Sequence, residues 1–269
     1  MPDLSSAADA PEWEQLEAAV HAWCLDAGHP AAGILCRRSS DWIDPAELEQ
    51  LDRFGWSGHR LSGGELPVIQ SSRTEQLRQT RLTARALVRV VLSHHAGIHP
   101  ASWRLVFGTH GKPAIAAPAG LESLHFNLTH TEGLLICAVS RAGDIGVDAE
   151  VNSRPVDIEQ VARHFFSSRE QQRLAELPPA VRTNGFFEQW VLKEAYLKGL
   201  GSGLTQSPES FTVERDGDGR PIGHDNWQLS LARPTPRHIA AIAVRPQRPE
   251  PIRIVWREAS GLVGQADEC

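Results

Sequence analysis

Residues 126–151 read FNLTHTEGLLICAVSRAGDIGVDAEV, and this stretch decides the fold class. FNLTH (126–130) and LLICAVS (134–140) are strand-like runs joined by a short connection containing Gly133. RAGD (141–144) is a turn, and IGVDAEV (145–151) is a third strand. Short strands separated by turn residues make a meander. Upstream, WRLVFG (103–108) adds a strand followed by the turn THGKP, and residues 74–94 form a long helix. Downstream the chain turns helical again: VDIEQVARHFF (156–166), then SREQQRLAEL with Ser167 and Glu170 as a capping box, then a helix over 181–198 that stops at GLGSG. FTVERD (211–216), WQLSLAR (227–233) and HIAAIAVRP (238–246) close the pattern, with DGDG as a tight turn and IRIVWRE (252–258) as an edge strand. Helices lying between groups of short strands indicate an α+β protein.

The ends read less sharply. Trp13, Leu16, Val20 and Trp23 recur at helical spacing in PEWEQLEAAVHAWCLDAG, which predicts a helix stopped by Gly28 and Pro30. GILC (33–36) predicts a short strand, and Pro45 opens a helix PAELEQLDRF with Asp44 as its N-cap. The segment 55–68 is a Gly-rich loop, and the last residues, GQADEC, are expected to be loose.

Composition narrows the function. The formal net charge of −6 argues against nucleic acid as a partner. No apolar run reaches the roughly 18–20 residues that span a bilayer, and the acidic N-terminus lacks the features of a secretory signal. A cytoplasmic protein is expected. Cys24, Cys36, Cys137 and Cys269 form no CxxC pair and fit no zinc ligand set, so they read as reduced, structural thiols. Of 27 basic residues only Lys112, Lys193 and Lys198 are lysines. A chain that uses Arg almost everywhere marks its few lysines for inspection, because an ammonium and a guanidinium differ where geometry matters.

The candidate chemical residues each carry a plain alternative. Asp148 and Glu150 are two apart in a strand and so point to one side, as metal-binding carboxylates do and as any solvated DxE does. Glu194 and Lys198 are four apart on a helix, a reactive pair or an ordinary surface ion pair. His130 ends its strand, and His125 is an equal candidate on chemistry alone. Lys112 is presented by the tight turn Gly111-Lys112-Pro113, where a turn lysine is otherwise simply solvated. Arg78, Arg81, Arg85 and Arg89 share one helix face that either binds phosphate or solubilises. No phosphate-loop, dinucleotide, nucleophile-elbow or HExxH motif occurs.

Taken in order, GKP, FNLTH, GVDAE, FFSSRE and WVLKEAYLKGLGSGL resemble the motifs of 4′-phosphopantetheinyl transferases of the larger, surfactin-synthetase-activating type. The resemblance covers roughly residues 75–245. It implies an α+β monomer of two similar halves in a pseudo-twofold arrangement, with coenzyme A in the cleft between them. On this reading residues 1–30 are an N-terminal extension, 31–142 one half, 143–246 the other half with the metal site, and 247–269 a C-terminal tail. Asp148, Glu150 and Glu194 match the metal carboxylates, magnesium or manganese being the cation, and Glu194 doubles as the general base. Lys198 and His130 match phosphate contacts, Thr129 holds the neighbouring hydroxyl position, and Lys112 lies near the 3′-phosphate. The activity implied is transfer of 4′-phosphopantetheine from coenzyme A to a serine of an apo acyl or peptidyl carrier protein. A magnesium-dependent hydrolase of a pyrophosphate bond, or a non-catalytic coenzyme A-binding module, would use the same residues.

Two departures stand out. Ala149 sits where a larger aliphatic residue is usual. DPAELEQLDRF resembles a segment that supplies lysines to the 3′-phosphate, yet it carries Glu47 and Gln50 at those places. The 3′-phosphate contacts are therefore expected from Lys112 together with Arg81, Arg85 or Arg89.

Overall fold

The computed structural model describes residues 16, 18–44, 47, 71–108, 111–201 and 206–267. The elements run β1 (Ala19–Asp26), α1 (Pro30–Trp42), α2 (Ser71–Ala96), β2 (Arg104–Phe107), β3 (Pro113–Ala117), β4 (His125–Thr131), β5 (Leu134–Ser140) and β6 (Gly143–Val151). They continue α3 (Ile158–Phe165), α4 (Ser168–Glu176), α5 (Pro179–Leu200), β7 (Glu214–Arg215), β8 (Pro221–Ile222), β9 (Gln228–Thr235), β10 (His238–Pro246), β11 (Arg253–Glu258) and α6 (Ser260–Asp267). The central meander, both long helices and the capping box of α4 stand where the sequence puts them. The helix expected over 45–54 and the loop over 55–68 fall outside the described residues, apart from Glu47.

The chain runs one plan twice: a strand, helices ending in a long one, a small hairpin, then two strands. In the first pass β1, β5 and β4 lie side by side, and in the second β6, β10 and β9 do, so the first strand always pairs with the last. All four of those pairings are antiparallel. The two sheets face each other through Val20, Ala22, Ile136 and Ala138 on one side and Ile145, Val147, Ala240 and Ile242 on the other. The outer face of the first sheet packs on α1, α2 and α6 through residues such as Leu25, Leu87, Val91 and Leu135. The outer face of the second packs on α5 through Phe186, Phe187, Trp190 and Ala241. Burying a side chain of that size contributes about 1.5–3 kcal/mol. The result is four layers: helix, sheet, sheet, helix.

Three sequence expectations are corrected. Residues 19–26 are a strand, not part of a helix. β1 is covered on both faces, so it reads AVHAWCLD with no polar stripe, and an apolar run of that kind fits either period. GILC lies inside α1, whose start is fixed by Pro30 at its first position and by the His29 side chain accepting from the Ala31 N–H. The C-terminal residues 260–267 form α6, with Leu262 and Val263 in the first core. The segments expected to lie outside the halves also build into the first sheet, since β11 pairs with β1 in parallel.

A single close approach positions the second helix. A Cβ on Gly146 of β6 would lie 2.0 Å from the Ala195 carbonyl oxygen and 2.3 Å from the Gly199 nitrogen of α5. Only glycine lets the strand backbone touch the helix backbone there. α5 itself opens at Pro179 and ends at Gly201, which is left-handed (φ 64°).

Candidate active site

The site forms where the edge of β4 meets the edge of β6. Asn127, Thr129 and Thr131 alternate along β4 and reach the same way, as period-two geometry requires. Asn127 Oδ1 accepts from the Val147 N–H at 2.9 Å, which satisfies a backbone donor on β6's outer edge. Thr129 Oγ1 donates to Asp148 Oδ1 at 3.2 Å, and Thr131 Oγ1 lies 3.4 Å from Glu150 Oε2. Val147 and Ala149 face the other sheet, so Asp148 and Glu150 face α5.

From α5, Lys198 Nζ donates to Asp148 Oδ1 at 2.6 Å and to Thr129 Oγ1 at 3.0 Å. The i,i+4 alternative therefore fails for Lys198: its carboxylate partner is on β6, not on its own helix. Asp148 is buried, and burial raises its carboxyl above the usual range; the charge of Glu194 pushes the same way and Lys198 opposes both. Burial also raises Glu150, helped by Asp148 and opposed by Arg154, whose guanidinium is 3.6 Å away. Asp148 Oδ2 is buried and accepts no hydrogen bond from any described residue. A buried acceptor left in that state is costly unless a cation or proton meets it.

His130 is half-buried beside this junction. Burial pulls its imidazole down to about 4, and Lys198 and Arg81 add to the shift, so the ring is neutral at neutral pH. Arg81 and Lys198 thus belong to the same neighbourhood.

The sequence model of the 4′-phosphopantetheinyl transferase superfamily matches residues 144–243, the segment that holds β6 and α5. The 4′-phosphopantetheinyl transferase Sfp of Bacillus subtilis (strain 168) is 31% identical over 178 residues, covering 64% of this chain and 77% of that protein. The chain belongs to the 4′-phosphopantetheinyl transferase superfamily. The transferase HetI of Nostoc sp. (strain PCC 7120) is 29% identical over 230 residues, 84% of this chain and 87% of that one. A solved holo-[acyl-carrier-protein] synthase of Thermotoga maritima covers 39% of this chain and 64% of its own at 23% identity, with a TM-score of 0.33.

This transferase brings together Thr129, His130, Asp148, Glu150, Glu194, Lys198 and Arg81. It does not bring Arg85 or Arg89 to the site. Arg89 is fully buried: it pairs with Glu47 and donates to the carbonyls of Trp42 and Arg85. Arg85 is buried too, with its guanidinium 4.3 Å above the Phe107 ring and 4.0 Å from Glu47. The acid at Glu47 is thus the partner of both arginines, so Arg85 and Arg89 lie in the core while Arg81 of the same face stays beside His130. Lys112 is also diverted, because its ammonium donates to Gly199 O at 2.6 Å and Ile145 O at 3.3 Å. His125 pairs with Asp144 at the far end of β4. Lys193 is structural: it is buried against Glu170, whose carboxylate also accepts from Ser167 N, Gln189 Nε2 and Val213 N.

Among the described residues no three His, Cys, Asp or Glu side chains converge as a closed metal cage, so Asp148, Glu150 and Glu194 do not form one by themselves. A hard cation of the magnesium type takes one or two carboxylates and completes its shell with phosphate oxygens and water. The uncommitted, buried Asp148 Oδ2 beside two further carboxylates fits such an ion. Sequence reading missed Asn127, Thr131 and Arg154. The alternation of Asn127, Thr129 and Thr131 in an otherwise apolar strand is the signal for the first two.

Proposed function

We propose that this transferase moves the 4′-phosphopantetheine group of coenzyme A to a serine of an apo acyl or peptidyl carrier protein and releases adenosine 3′,5′-bisphosphate. The reading is carried by the Thr129–Asp148–Lys198 junction, in which a cation, a hydroxyl and a buried carboxylate with one uncommitted oxygen meet. Asp148, Glu150 and Glu194 would hold magnesium or manganese. When bound, that ion offsets negative charge building on the pyrophosphate.

The remaining roles fall to the chain's own residues. The serine oxygen forms a bond to the β-phosphorus of coenzyme A, and the bond from that phosphorus to the bridging oxygen breaks. The electron pair leaves on the adenosine bisphosphate. Glu194 accepts the serine proton, since a hydroxyl needs a positioned base near neutral pH. The Lys198 ammonium has three N–H groups and spends two on Asp148 and Thr129, which aims the third at phosphate oxygens. Neutral His130 donates one hydrogen bond to the pyrophosphate, and Arg81 adds positive charge beside it. A cytoplasmic, monomeric enzyme is part of the same reading.

Intact-mass spectrometry tests it. An apo carrier protein incubated with the enzyme, coenzyme A and magnesium should gain one phosphopantetheine mass, and chelation should abolish the gain. Cleavage of coenzyme A without any carrier, or no gain on acyl and peptidyl carriers alike, would overturn it.

A further inference from the structure

Lys112 was expected to be a phosphate ligand, and its ammonium is already engaged elsewhere. It sits in the β2–β3 turn, where Gly108 N–H donates to Lys112 O at 3.0 Å and Gly111 adopts φ 80°. From that turn the side chain crosses to the other half of the molecule. Its stem passes Gly201, where a Cβ would lie 2.8 Å from Lys112 Cδ. Its Nζ donates to Gly199 O in the last turn of α5 and to Ile145 O on β6. The last carbonyls of a helix have no partner within the helix, and a cation there also complements the helix dipole.

The position of those two carbonyls gives the contact its meaning. Ile145 precedes Gly146, and Gly199 follows Lys198. The ammonium therefore grips both sides of the backbone seam formed by Gly146, Ala195 and Gly199. That seam sets how Asp148 on the strand meets Lys198 on the helix.

We infer that Lys112 is a positioning residue for the transfer reaction: a clasp from the first half that fixes the register of α5 on β6, and not a ligand of the donor's phosphates. The inference rests on the transfer reading above. An arginine could supply charge at this position, but three tetrahedral N–H groups on a slim stem suit two converging carbonyls in a part-buried slot. This accounts for a lysine in a chain that otherwise favours arginine.

The test compares Lys112→Met and Lys112→Arg with the unaltered enzyme, using coenzyme A and 3′-dephospho-coenzyme A as donors and a saturating apo carrier. A clasp predicts a fall in kcat on the order of tenfold to a hundredfold for Lys112→Met, as misplacement of reacting groups by about 1 Å produces. KM for either donor should change by less than about threefold, the fractional loss should be the same for both donors, and Lys112→Arg, whose planar fork fits the two carbonyls poorly, should lower kcat in the same way but by less. A tenfold rise in KM with kcat retained, a penalty that disappears with the dephospho donor, or no effect at all would overturn the inference. Should Lys112→Met not fold, Lys112→Arg decides on the same KM-against-kcat criterion. If the unaltered enzyme modifies no carrier, the transfer reading fails, and amide hydrogen exchange still tests the clasp. Exchange over residues 197–201 should quicken in Lys112→Arg or Lys112→Met, and unchanged exchange in both would count against it.

Discussion

The two long helices meet their first strands in opposite ways. Asp26 pairs with Leu134 and Val151 with His238, at matching places in the two halves. Counting back, Trp23 stands for Asp148, Leu25 for Glu150 and His21 for Gly146. The helices end at Gly97 and Gly201, both at φ 64°, so His94 stands for Lys198, Val90 for Glu194 and His95 for Gly199. Where β6 and α5 touch backbone to backbone through two glycines, β1 and α2 carry two histidines whose rings are 5.0 Å apart. Trp23 packs edge-on against His94 at 5.0 Å and donates its Nε1–H to His95 Nε2 at 3.0 Å. One seam is closed tightly enough to set carboxylates against an ammonium. The other is filled with rings. Bare backbone contact at one end of the fold is thus linked to chemistry, and side-chain filling at the other to packing.

The sharpest way to break the comparison is to neutralise the polar seam. Glu194→Gln keeps shape and removes charge, and should lower kcat by on the order of 10²–10⁴ if Glu194 is the base. Near-normal turnover would return that role to another group. Gly146→Ala attacks the seam's geometry instead. The added methyl meets the Ala195 carbonyl, so a stability loss of about 1–3 kcal/mol is expected, with a fall in kcat on the order of 10²-fold. His21→Ala in the ring-filled seam should cost stability alone. Equal kcat losses in the two variants, measured on the folded fraction, would dissolve the distinction.

A third prediction concerns pH. Burial holds His95 down at about 2, with His21, His94 and Arg257 adding to the shift. The unfolded chain protonates near 6.5 and the native state does not, so stability is lost as pH falls below 6.5. At pH 5 the loss from this one residue is about 2 kcal/mol. His95→Leu should therefore flatten the fall in urea midpoint between pH 7.5 and pH 5, and an unchanged slope would place the acid sensitivity elsewhere. The smallest effect is expected from Thr131→Val. It removes one long hydrogen bond to Glu150, worth about 1 kcal/mol, and kcat should drop about fivefold or less.

What sequence could reveal follows from how far apart the deciding groups lie. The strands β4 to β6, the boundaries of α5 and the shared side of Asp148 and Glu150 all rest on neighbours a few residues apart, and they were legible. The scarcity of lysine marked three residues in defined contacts, yet only Lys198 meets a candidate site carboxylate, whereas Lys193 is buried against Glu170 and Lys112 caps the end of α5. The arginine face misled because spacing reveals which residues share a face but not what faces them. Glu47, 42 positions before Arg89, pairs with Arg89 and lies 4.0 Å from Arg85, which holds both arginines in the core. β1 misled because a strand covered on both sides has lost the alternation that identifies strands.

The parallel pairing of β1 with β11 bears on how the molecule is made. Ala19 waits for Arg253, so the ribosome delivers that partner more than two hundred residues after β1 itself. By then β6, α5 and β10 have all emerged and can close on one another. Synthesis thus completes the half that carries the carboxylates first, and the opening segment of the chain is the last to find its full set of partners.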